Sequence, residues 1–273
     1  MTDLFVAFRS SRIHYSCRGT GGRVLFAFHG YGETGESFAF LEEALGRDFT
    51  LVAIDLPFHG KTEWNEELFL APADLLAVMT EIALGLPDRE EGWWLMGYSM
   101  GGRVALQLFQ LAPSRIRRLV LLATDGLQMN FWYWLATQTA LGNRLFRWTM
   151  KRPAWLFFFL RAGHVLRLVN PSIYKFTAHY VDDTGVRERL YARWTTMRGF
   201  RPDLAVLGRY IQQYEVPVQL LYGSYDRIIR YERGERFRKI AGPNCELTLL
   251  QAGHQLLQAK FLEVIVKALY LPG

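Results

Sequence analysis

The 273-residue sequence has only two cysteines and no long apolar run. Cys17 and Cys245 are too few for a disulfide framework, which favours a reducing, cytoplasmic setting. The longest apolar run, Ala154 to Leu160, has seven residues. A membrane-spanning helix needs about 20. Met1 to Arg9 carries Asp3 and only five consecutive apolar residues, unlike a secretory signal. These absences predict a cytoplasmic protein without stable membrane insertion.

Half of the residues are hydrophobic and 21% are charged. This balance excludes a disordered chain and allows a sizeable core. A chain of this length suits one large α/β domain, or one core with an inserted lid, better than two equal domains.

The positive charge of the chain is concentrated in one segment. Its 32 basic and 26 acidic residues give a net charge of +6. Residues 127–201 contain 12 basic and 3 acidic residues, so this segment carries +9 and the remainder carries −3. Because the basicity belongs to one segment and no recognised binding motif accompanies it, the sequence predicts no nucleic-acid partner.

Short apolar runs of four or five residues recur along the chain. Such runs are typical of strands buried on both faces of a parallel sheet. Helical stretches at 72–84 and 100–112 lie between some of them, and residues 4–8 and 13–15 favour an N-terminal hairpin. The alternation predicts an α/β fold with an open, doubly wound, mostly parallel sheet. The runs are Val24–Phe28, Leu51–Ile54, Trp93–Met96, Leu119–Ala123, Val218–Tyr222 and Leu247–Leu250.

One connection is too long for a simple crossover. Ala123 and Val218 are separated by 94 residues, whereas a crossover between parallel strands needs roughly 12 to 30. The excess predicts a mostly helical insert, and it coincides with the basic segment. The insert also holds 16 of the 40 aromatic residues of the chain.

Three uses of this insert remain open. In the first, the aromatic side chains pack against the core and the charges form a solvated face. In the second, one or two arginines bind a carboxylate or phosphate of the substrate. In the third, Trp155–Leu160, flanked by Lys151-Arg152 and Arg161, contacts an anionic membrane surface.

The strongest chemical signal is Gly97-Tyr98-Ser99-Met100-Gly101-Gly102, which follows an apolar run and opens a helix. This context is that of a nucleophile elbow, in which a sharp turn makes the serine hydroxyl project. Glycines two positions before and after the serine remove side chains that would collide there. We therefore predict that Ser99 is a catalytic nucleophile.

A serine nucleophile needs a base and an acid that orients it, and in this arrangement they follow in the order Ser, acid, His. His254 comes just after the last apolar run and is the predicted base. Asp226 follows the run that ends at Tyr222 and is the predicted acid. Asp125, one strand earlier, is the alternative acid, and either aspartate could instead cap a helix.

The oxyanion of such a reaction needs two backbone N–H donors. Met100, the residue after the nucleophile, is one predicted donor. Tyr31, in the glycine-rich loop after the run Val24–Phe28, is the other. His29 and His59 are interpreted as residues that organise their loops.

No metal ion or cofactor is predicted. His14, His164 and His179 have no partners at the spacing of metal ligands. No G-x-G-x-x-G or phosphate-binding loop follows a strand, so no nucleotide is indicated.

Taken together, the motifs make the chain resemble the α/β-hydrolase fold superfamily over nearly its whole length. The resemblance implies that Ser99 is the nucleophile, His254 the base and Asp226 the acid, with Tyr31 and Met100 at the oxyanion hole. The motifs that carry it are His29-Gly30-Tyr31-Gly32, Asp55-Leu56-Pro57-Phe58-His59-Gly60, Gly97-Tyr98-Ser99-Met100-Gly101, Asp226 and Gly253-His254.

The resemblance also implies a domain organisation, with residues 1–126 and 202–273 as the core and 127–201 as a helical cap. One departure is Phe58, where the superfamily usually has glycine, so this loop is expected to pack differently. The elbow with Arg103 is also similar to that of the menaquinone-pathway SHCHC synthase, which uses the same triad to eliminate pyruvate.

Three functions are therefore considered. The leading prediction is a cofactor-independent serine hydrolase, a carboxylesterase that acts on a small to medium acyl ester through an acyl-enzyme. The alternatives are a lyase like the SHCHC synthase, in which basic residues hold the substrate carboxylates, and a non-catalytic ligand receptor on the same scaffold. The predicted partner is a small-molecule acyl substrate, and the sequence leaves the oligomeric state open.

Overall fold

The computed structural model describes residues 3–86, 92–156, 158 and 182–271. The strands within these residues form one eight-stranded sheet. They are β1 (Leu4–Phe8), β2 (Ser11–Arg18), β3 (Arg23–Phe28), β4 (Phe49–Ile54), β5 (Trp93–Tyr98), β6 (Ile116–Leu122), β7 (Val218–Gly223) and β8 (Cys245–Leu250).

The sheet is mostly parallel. Its order is β1-β2-β4-β3-β5-β6-β7-β8, and only the β1–β2 and β2–β4 pairs are antiparallel. Five of the six predicted apolar runs lie within a strand, and the sixth, Leu119–Ala123, extends one residue beyond the end of β6. The predicted N-terminal hairpin is the β1–β2 pair. The order reverses on either side of β3, so the loops after β3 and β5 border the crevice where doubly wound sheets bind ligands.

Helices connect the strands. They are α1 (Glu42–Leu45), α2 (Pro72–Leu84), α3 (Met100–Leu111), α4 (Phe131–Gln138), α5 (Ala140–Lys151), α6 (Thr184–Thr196), α7 (Leu204–Gln213), α8 (Glu232–Ala241) and α9 (Leu262–Tyr270). Single 3₁₀ segments lie at Gly35–Leu41, Pro113–Arg115, Met197–Gly199 and Ala259–Phe261.

Burial explains why the central strands have no polar alternation. Every residue of β4 and β7 is buried, as are all residues of β3 except Arg23. Helix α3, which follows β5, has its first ten residues buried. Because these strands are apolar and buried on both faces, they are stable only in the interior of the sheet. The loops that follow them are therefore held at its carboxyl edge.

The chain divides into two compact units. One comprises Met1–Glu66, Ala71–Gln128 and Gly199–Gly273, and contains the sheet. The other comprises Glu67–Leu70 and Met129–Arg198. The grouping of Glu67–Leu70 with the insert was not predicted from the sequence. The backbone explains it, since the Leu70 N–H donates to the Thr196 carbonyl (3.0 Å).

The second unit has helices in its described residues, as the sequence predicted for the insert. Its α4 and α5 contact each other, as do α5 and α6. Several of its aromatic side chains are exposed, among them Phe131, Trp132 and Trp148. The first of the three uses considered for the insert, in which its aromatic side chains pack against the core, therefore does not describe these three residues.

Some predictions fall outside the described residues. His164 and His179 lie there, as do residues 157, 159 and 160 of the stretch suggested for membrane contact. Within the residues that are described, no helix combines the length and the apolar character needed to cross a membrane.

Candidate active site

Ser99 occupies the sharp turn between β5 and α3. Its backbone has φ 51° and ψ −115°, in the left-handed half of conformational space that side chains rarely adopt. The turn is held by backbone hydrogen bonds, since the Ser99 N–H donates to Leu122 O (2.9 Å) and its carbonyl accepts from Asp125 N (2.9 Å). Strain of this kind persists only where the surrounding structure enforces it.

Three glycines allow this turn to form. A Cβ on Gly97 would lie 2.5 Å from the Gly101 carbonyl oxygen, and one on Gly101 would lie 1.9 Å from the Phe28 carbonyl oxygen. Gly102, which sequence analysis did not single out, is equally constrained, because its Cβ would lie 1.9 Å from Thr124 Oγ1. The glycines thus let α3 begin directly against β3 and the end of β6.

The three residues of the predicted triad meet at the carboxyl edge of the sheet. His254, after β8, has its Nε2 3.1 Å from Ser99 Oγ. Its Nδ1 lies 2.7 Å from Oδ2 of Asp226, which follows β7. With the Nδ1 proton donated to Asp226, Nε2 is unprotonated and accepts the Ser99 hydroxyl proton. The arrangement can therefore move a proton from serine to histidine.

Asp226 is held as a charged acceptor. Its Oδ1 accepts the backbone N–H groups of Ile228 (2.8 Å) and Ile229 (2.9 Å). Burial raises the pKa of Asp226, but the hydrogen bonds from His254 and the two amides outweigh it and bring the pKa below its ordinary value. Both oxygen atoms of this carboxylate thus accept hydrogen bonds.

Asp125, the alternative acid, is directed elsewhere. Its Oδ2 lies 3.6 Å from Nη1 of Arg103, whose side chain is buried. The structure therefore brings Asp226, and not Asp125, to His254. Arg103 had suggested an anchor for a substrate carboxylate, and its guanidinium instead lies against a carboxylate of the protein.

The loop after β3 lies beside Ser99. A Cβ on Gly30 would be 2.9 Å from the Tyr98 ring and 3.5 Å from the Ser99 Cβ. Tyr31 follows in this loop, and Met100 is the first residue of α3. The two predicted oxyanion donors are therefore on the segments that flank the nucleophile.

His29 fixes this loop, as the sequence suggested. It is fully buried, and its Nε2 accepts the backbone N–H of Leu56 (3.1 Å). The proton must then be on Nδ1, which donates to the Gly30 carbonyl (2.8 Å). His29 is thus already engaged on both ring nitrogens.

The loop after β4 also has the organisation that its histidine suggested. Nδ1 of His59 lies 2.9 Å from the Pro57 carbonyl, and the His59 ring is 4.8 Å from that of His29. Phe58 has φ 63°, which accounts for the glycine usual at this position. A left-handed backbone costs a side-chain-bearing residue about 1–2 kcal/mol.

The role of Asp55 was not predicted from the sequence. This buried carboxylate accepts the backbone N–H groups of Gly35 (2.6 Å) and Lys61 (2.9 Å). It also lies 2.7 Å from Nδ1 of His14 on β2. Asp55 therefore ties the loops after β3 and β4 to the antiparallel edge of the sheet. The available signals were its position directly after an apolar run and its place at the start of the motif Asp55-Leu56-Pro57-Phe58-His59-Gly60.

The described residues contain no group of three or more histidine, cysteine, aspartate or glutamate side chains placed to hold a metal ion. The chemistry offered by the site is that of a serine hydroxyl, an imidazole and a buried carboxylate. Such a set performs nucleophilic attack on an acyl carbon.

Comparison with known proteins gives a consistent family. A family model described as the alpha/beta hydrolase fold matches residues 23–257. The acetyltransferase component (dihydrolipoyllysine-residue) of an acetoin cleaving system from Pseudomonas putida is 29% identical over 243 residues, covering 87% of this chain and 60% of that protein. A pimeloyl-[acyl-carrier protein] methyl ester esterase from Serratia marcescens is 34% identical over 113 residues, 41% of each chain.

The chain thus spans 60% of the length of the first of these relatives and 41% of the second. Among solved structures, a thermophilic esterase from Thermogutta terrifontis aligns with a TM-score of 0.66 at 17% identity. The alignment covers 98% of this chain and 97% of that one. At this identity the likeness shows the fold.

Proposed function

Because the chain belongs to the alpha/beta hydrolase fold family, we propose that it is a serine carboxylesterase that hydrolyses a small to medium acyl ester through an acyl-enzyme. The observation that carries the proposal is the continuous contact from Ser99 Oγ through His254 to Asp226, at 3.1 Å and 2.7 Å. The similarity to a methyl ester esterase over 41% of the chain supports ester chemistry.

In the first half of the reaction, Ser99 Oγ attacks the ester carbonyl carbon while its proton passes to His254 Nε2. The carbonyl oxygen becomes an oxyanion, for which the N–H groups of Tyr31 and Met100 are the proposed donors. The imidazolium, held by Asp226, then gives its proton to the leaving alkoxide. The C–O ester bond breaks, the alcohol departs and the acyl group remains on Ser99.

In the second half, a water molecule replaces the alcohol. His254 takes one proton from the water as its oxygen attacks the acyl carbon, and the same proton returns to Ser99 Oγ when the acyl–serine bond breaks. The products are a carboxylic acid and the regenerated enzyme, so the cycle uses no cofactor. In this proposal the insert at 127–201 is a cap that selects the acyl group of the substrate.

The geometry around Arg103 favours the esterase over the lyase alternative. The lyase needs cationic groups available for substrate carboxylates, and Arg103 is buried with its guanidinium 3.6 Å from Asp125. The receptor alternative is disfavoured by the triad geometry, since a protein that only binds a ligand has no use for an activated serine.

The test is a panel of p-nitrophenyl esters of different acyl length and charge, assayed with the wild type and with Ser99→Ala. We expect hydrolysis by the wild type and a loss of at least about 10⁴-fold in the variant, because the nucleophile is removed. A fluorophosphonate probe should label the wild type at Ser99. Ser114→Ala, which removes an exposed serine, is the control and should match the wild type.

Retained hydrolysis in folded Ser99→Ala would refute the assigned nucleophile. Elimination of pyruvate from the menaquinone-pathway intermediate, at a rate above that of any ester, would favour the lyase. Absence of both turnover and labelling would favour the receptor.

A further inference from the structure

Tyr98, the last residue of β5, connects the nucleophile to the loop that carries His254. It directly precedes Ser99 in the chain. Its hydroxyl donates to the backbone carbonyl oxygen of His254 (3.2 Å), and Gln255 Oε1 lies at the same distance as a second acceptor. The rings of Tyr98 and His254 are 5.5 Å apart. One side chain thus reaches from the nucleophile elbow to the backbone of the base.

The side chain of Tyr98 is held tightly by its surroundings. Only 2% of the residue is exposed, and a Cβ on Gly30 would lie 2.9 Å from two atoms of the Tyr98 ring. The loop after β3 therefore closes directly against this ring. Burial also raises the pKa of Tyr98, so the hydroxyl keeps its proton and remains a donor over the working range of pH. The hydroxyl is thus a fixed point from which the loop of His254 can be held.

The backbone around His254 has little support of its own. Residues 251–258 form neither helix nor strand, and Gln251, Gly253 and Gln255 are exposed. Within the residues that the structure describes, no hydrogen bond between backbone groups involves positions 253–255. A Cβ on Gly253 would have no neighbour within 4 Å. The hydroxyl of Tyr98 therefore supplies a hydrogen bond in a stretch whose backbone makes none with itself.

Proton transfer from the serine requires that His254 be held at both ends of its side chain. Asp226 holds Nδ1 of the imidazole at 2.7 Å. If the backbone of His254 moved, the ring would pivot about this contact and carry Nε2 away from Ser99 Oγ, which lies 3.1 Å from it. A general base works within about 2.6–3.2 Å of the proton donor. The observed distance is near the upper end of that range, so a small displacement of the backbone would take the base out of reach.

We propose that Tyr98 is a positioning residue for the reaction at Ser99, which acts by fixing the backbone of His254 through its hydroxyl group. The hydroxyl takes no part in proton transfer. It keeps Nε2 directed at Ser99 Oγ in both halves of the cycle, because His254 accepts a proton in each of them. This inference rests on the proposed serine hydrolase function.

The test is Tyr98→Phe, which removes the hydroxyl and keeps the ring that packs against Gly30. We expect kcat to fall about tenfold, because a small misplacement of a catalytic group is costly, while KM stays within about twofold of the wild type. Acylation and deacylation, separated by stopped-flow measurement of the burst, should slow by the same factor, since His254 serves both. Active-site titration with the fluorophosphonate probe counts the folded, competent molecules, so partial unfolding does not enter kcat.

A second variant shows whether the effect passes through His254. His254→Ala retains the residual hydrolysis that remains when a triad residue is lost, about 10³–10⁴-fold above the uncatalysed rate. The base is then absent, so adding Tyr98→Phe should cause no further loss. A further loss of about tenfold would mean that the hydroxyl acts on Ser99 or on the substrate, and would overturn the inference.

Tyr222→Phe is the matched control. Tyr222 is fully buried on β7, and its hydroxyl also donates to a backbone carbonyl at 3.2 Å, that of Thr124. Its loss should lower the urea midpoint about as much as Tyr98→Phe and leave kcat unchanged. An equal loss of kcat in both variants would reduce the effect of Tyr98 to stability and contradict the inference.

Gln255→Ala distinguishes the two acceptors of the Tyr98 hydroxyl. It removes the exposed side-chain acceptor and keeps the carbonyl of His254, so kcat should stay near the wild-type value. A loss of kcat as large as that of Tyr98→Phe would show that the side chain of Gln255, and not the backbone of His254, is the partner that matters.

The outcomes separate this inference from the proposed function. Unchanged kcat in Tyr98→Phe, with normal ester hydrolysis by the wild type, overturns the inference alone. If the wild type hydrolyses no ester but is labelled at Ser99, the esterase proposal fails, and the rate of labelling becomes the measurement. Slower labelling of Tyr98→Phe than of Tyr222→Phe would then still support the inference, and equal rates would refute it. If there is neither hydrolysis nor labelling, both proposals are wrong.

Discussion

At the scale of single residues, the orientation of His254 depends on Asp226. Asp226→Asn would present an amide N–H₂ to Nδ1, which favours the imidazole tautomer with its proton on Nε2. That tautomer cannot accept the proton of Ser99, although the side chains stay in place. We expect kcat to fall about 10⁴-fold at neutral pH, measured with the best ester of the panel.

Asp203→Asn is a control of the same kind. Asp203 also accepts two backbone N–H groups, from Ala205 (2.9 Å) and Val206 (3.1 Å), but it caps α7 and has no histidine partner. Its variant should keep full activity. If Asp226→Asn also kept full activity, Asp226 would not be the orienting acid.

The lowered pKa of Asp226 also predicts a pH dependence of stability. A carboxyl group whose pKa is lower in the folded chain stabilises the fold above its unfolded value, about 3.9. That contribution is lost as the pH falls through the folded pKa. Urea unfolding between neutral and acid pH should therefore show a steeper acid loss in the wild type than in Asp226→Asn. Parallel curves would contradict the assignment.

At the scale of elements, the junction of β5, α3 and β3 has no room for a side chain at Gly101. In Gly101→Ala the new Cβ would lie 1.9 Å from the Phe28 carbonyl oxygen and 2.8 Å from that of His29. Backbone atoms of β3 cannot rotate away, so α3 and Ser99 must shift. We expect a loss of about 1–3 kcal/mol in the free energy of unfolding, with a large loss of activity.

Gly85→Ala is the matched control, because this residue at the end of α2 has φ −80° and its Cβ would meet only Ile82 O, at 3.4 Å. Chemical unfolding and ester hydrolysis should both be near wild type. Equal stability of the two variants would mean that the junction can relax.

The elements themselves were predictable from short patterns. The apolar runs formed strands, and those in β3, β4 and β7 are fully buried, as is typical of interior strands of a parallel sheet. The side chains of Ser99, Asp226 and His254 come together because each directly follows such a strand, and the ends of parallel strands share one edge. The strands and the meeting of these three residues can therefore be predicted from local sequence and from the rule that parallel strands end at the same edge of a sheet.

Contacts set by the order of strands were not predictable in this way. Asp55 and His14 are 41 residues apart and meet because β2 pairs with β4 and not with its sequence neighbour β3. The choice of Asp226 over Asp125 likewise needed the geometry.

At the scale of the whole molecule, the positive charge is concentrated in the segment 127–201, and within that segment α5 exposes basic and apolar side chains together. Leu141, Leu145 and Trp148 are 79%, 48% and 47% exposed, and their spacing of three and four residues places them on one helical face. Exposed Arg144, Arg147 and Lys151 flank this face, and no acidic residue occurs between 131 and 152. A basic helix with an exposed apolar face is typical of contact with an anionic lipid surface.

This predicts peripheral, salt-sensitive binding to vesicles. The wild type should cosediment with phosphatidylcholine vesicles that contain phosphatidylglycerol more than with those that lack it, and added salt should release it. Because each cation near such a surface contributes about 1 kcal/mol, Arg144→Gln/Arg147→Gln should bind at least about tenfold more weakly. Leu141→Ser should also weaken binding, since it removes apolar surface from the same face.

Matched variants on the other unit decide whether the face itself is responsible. Arg209→Gln/Arg238→Gln removes the same charge from exposed positions of α7 and α8, and Leu84→Ser removes a leucine that is 68% exposed. If net charge alone determined vesicle binding, the two double variants would bind equally weakly, because they have the same total charge. Binding through α5 requires that only the Arg144/Arg147 and Leu141 variants lose affinity. Equal losses of vesicle affinity, or no preference for anionic vesicles, would contradict binding through α5. A role of the basic residues towards the substrate would then be the remaining use.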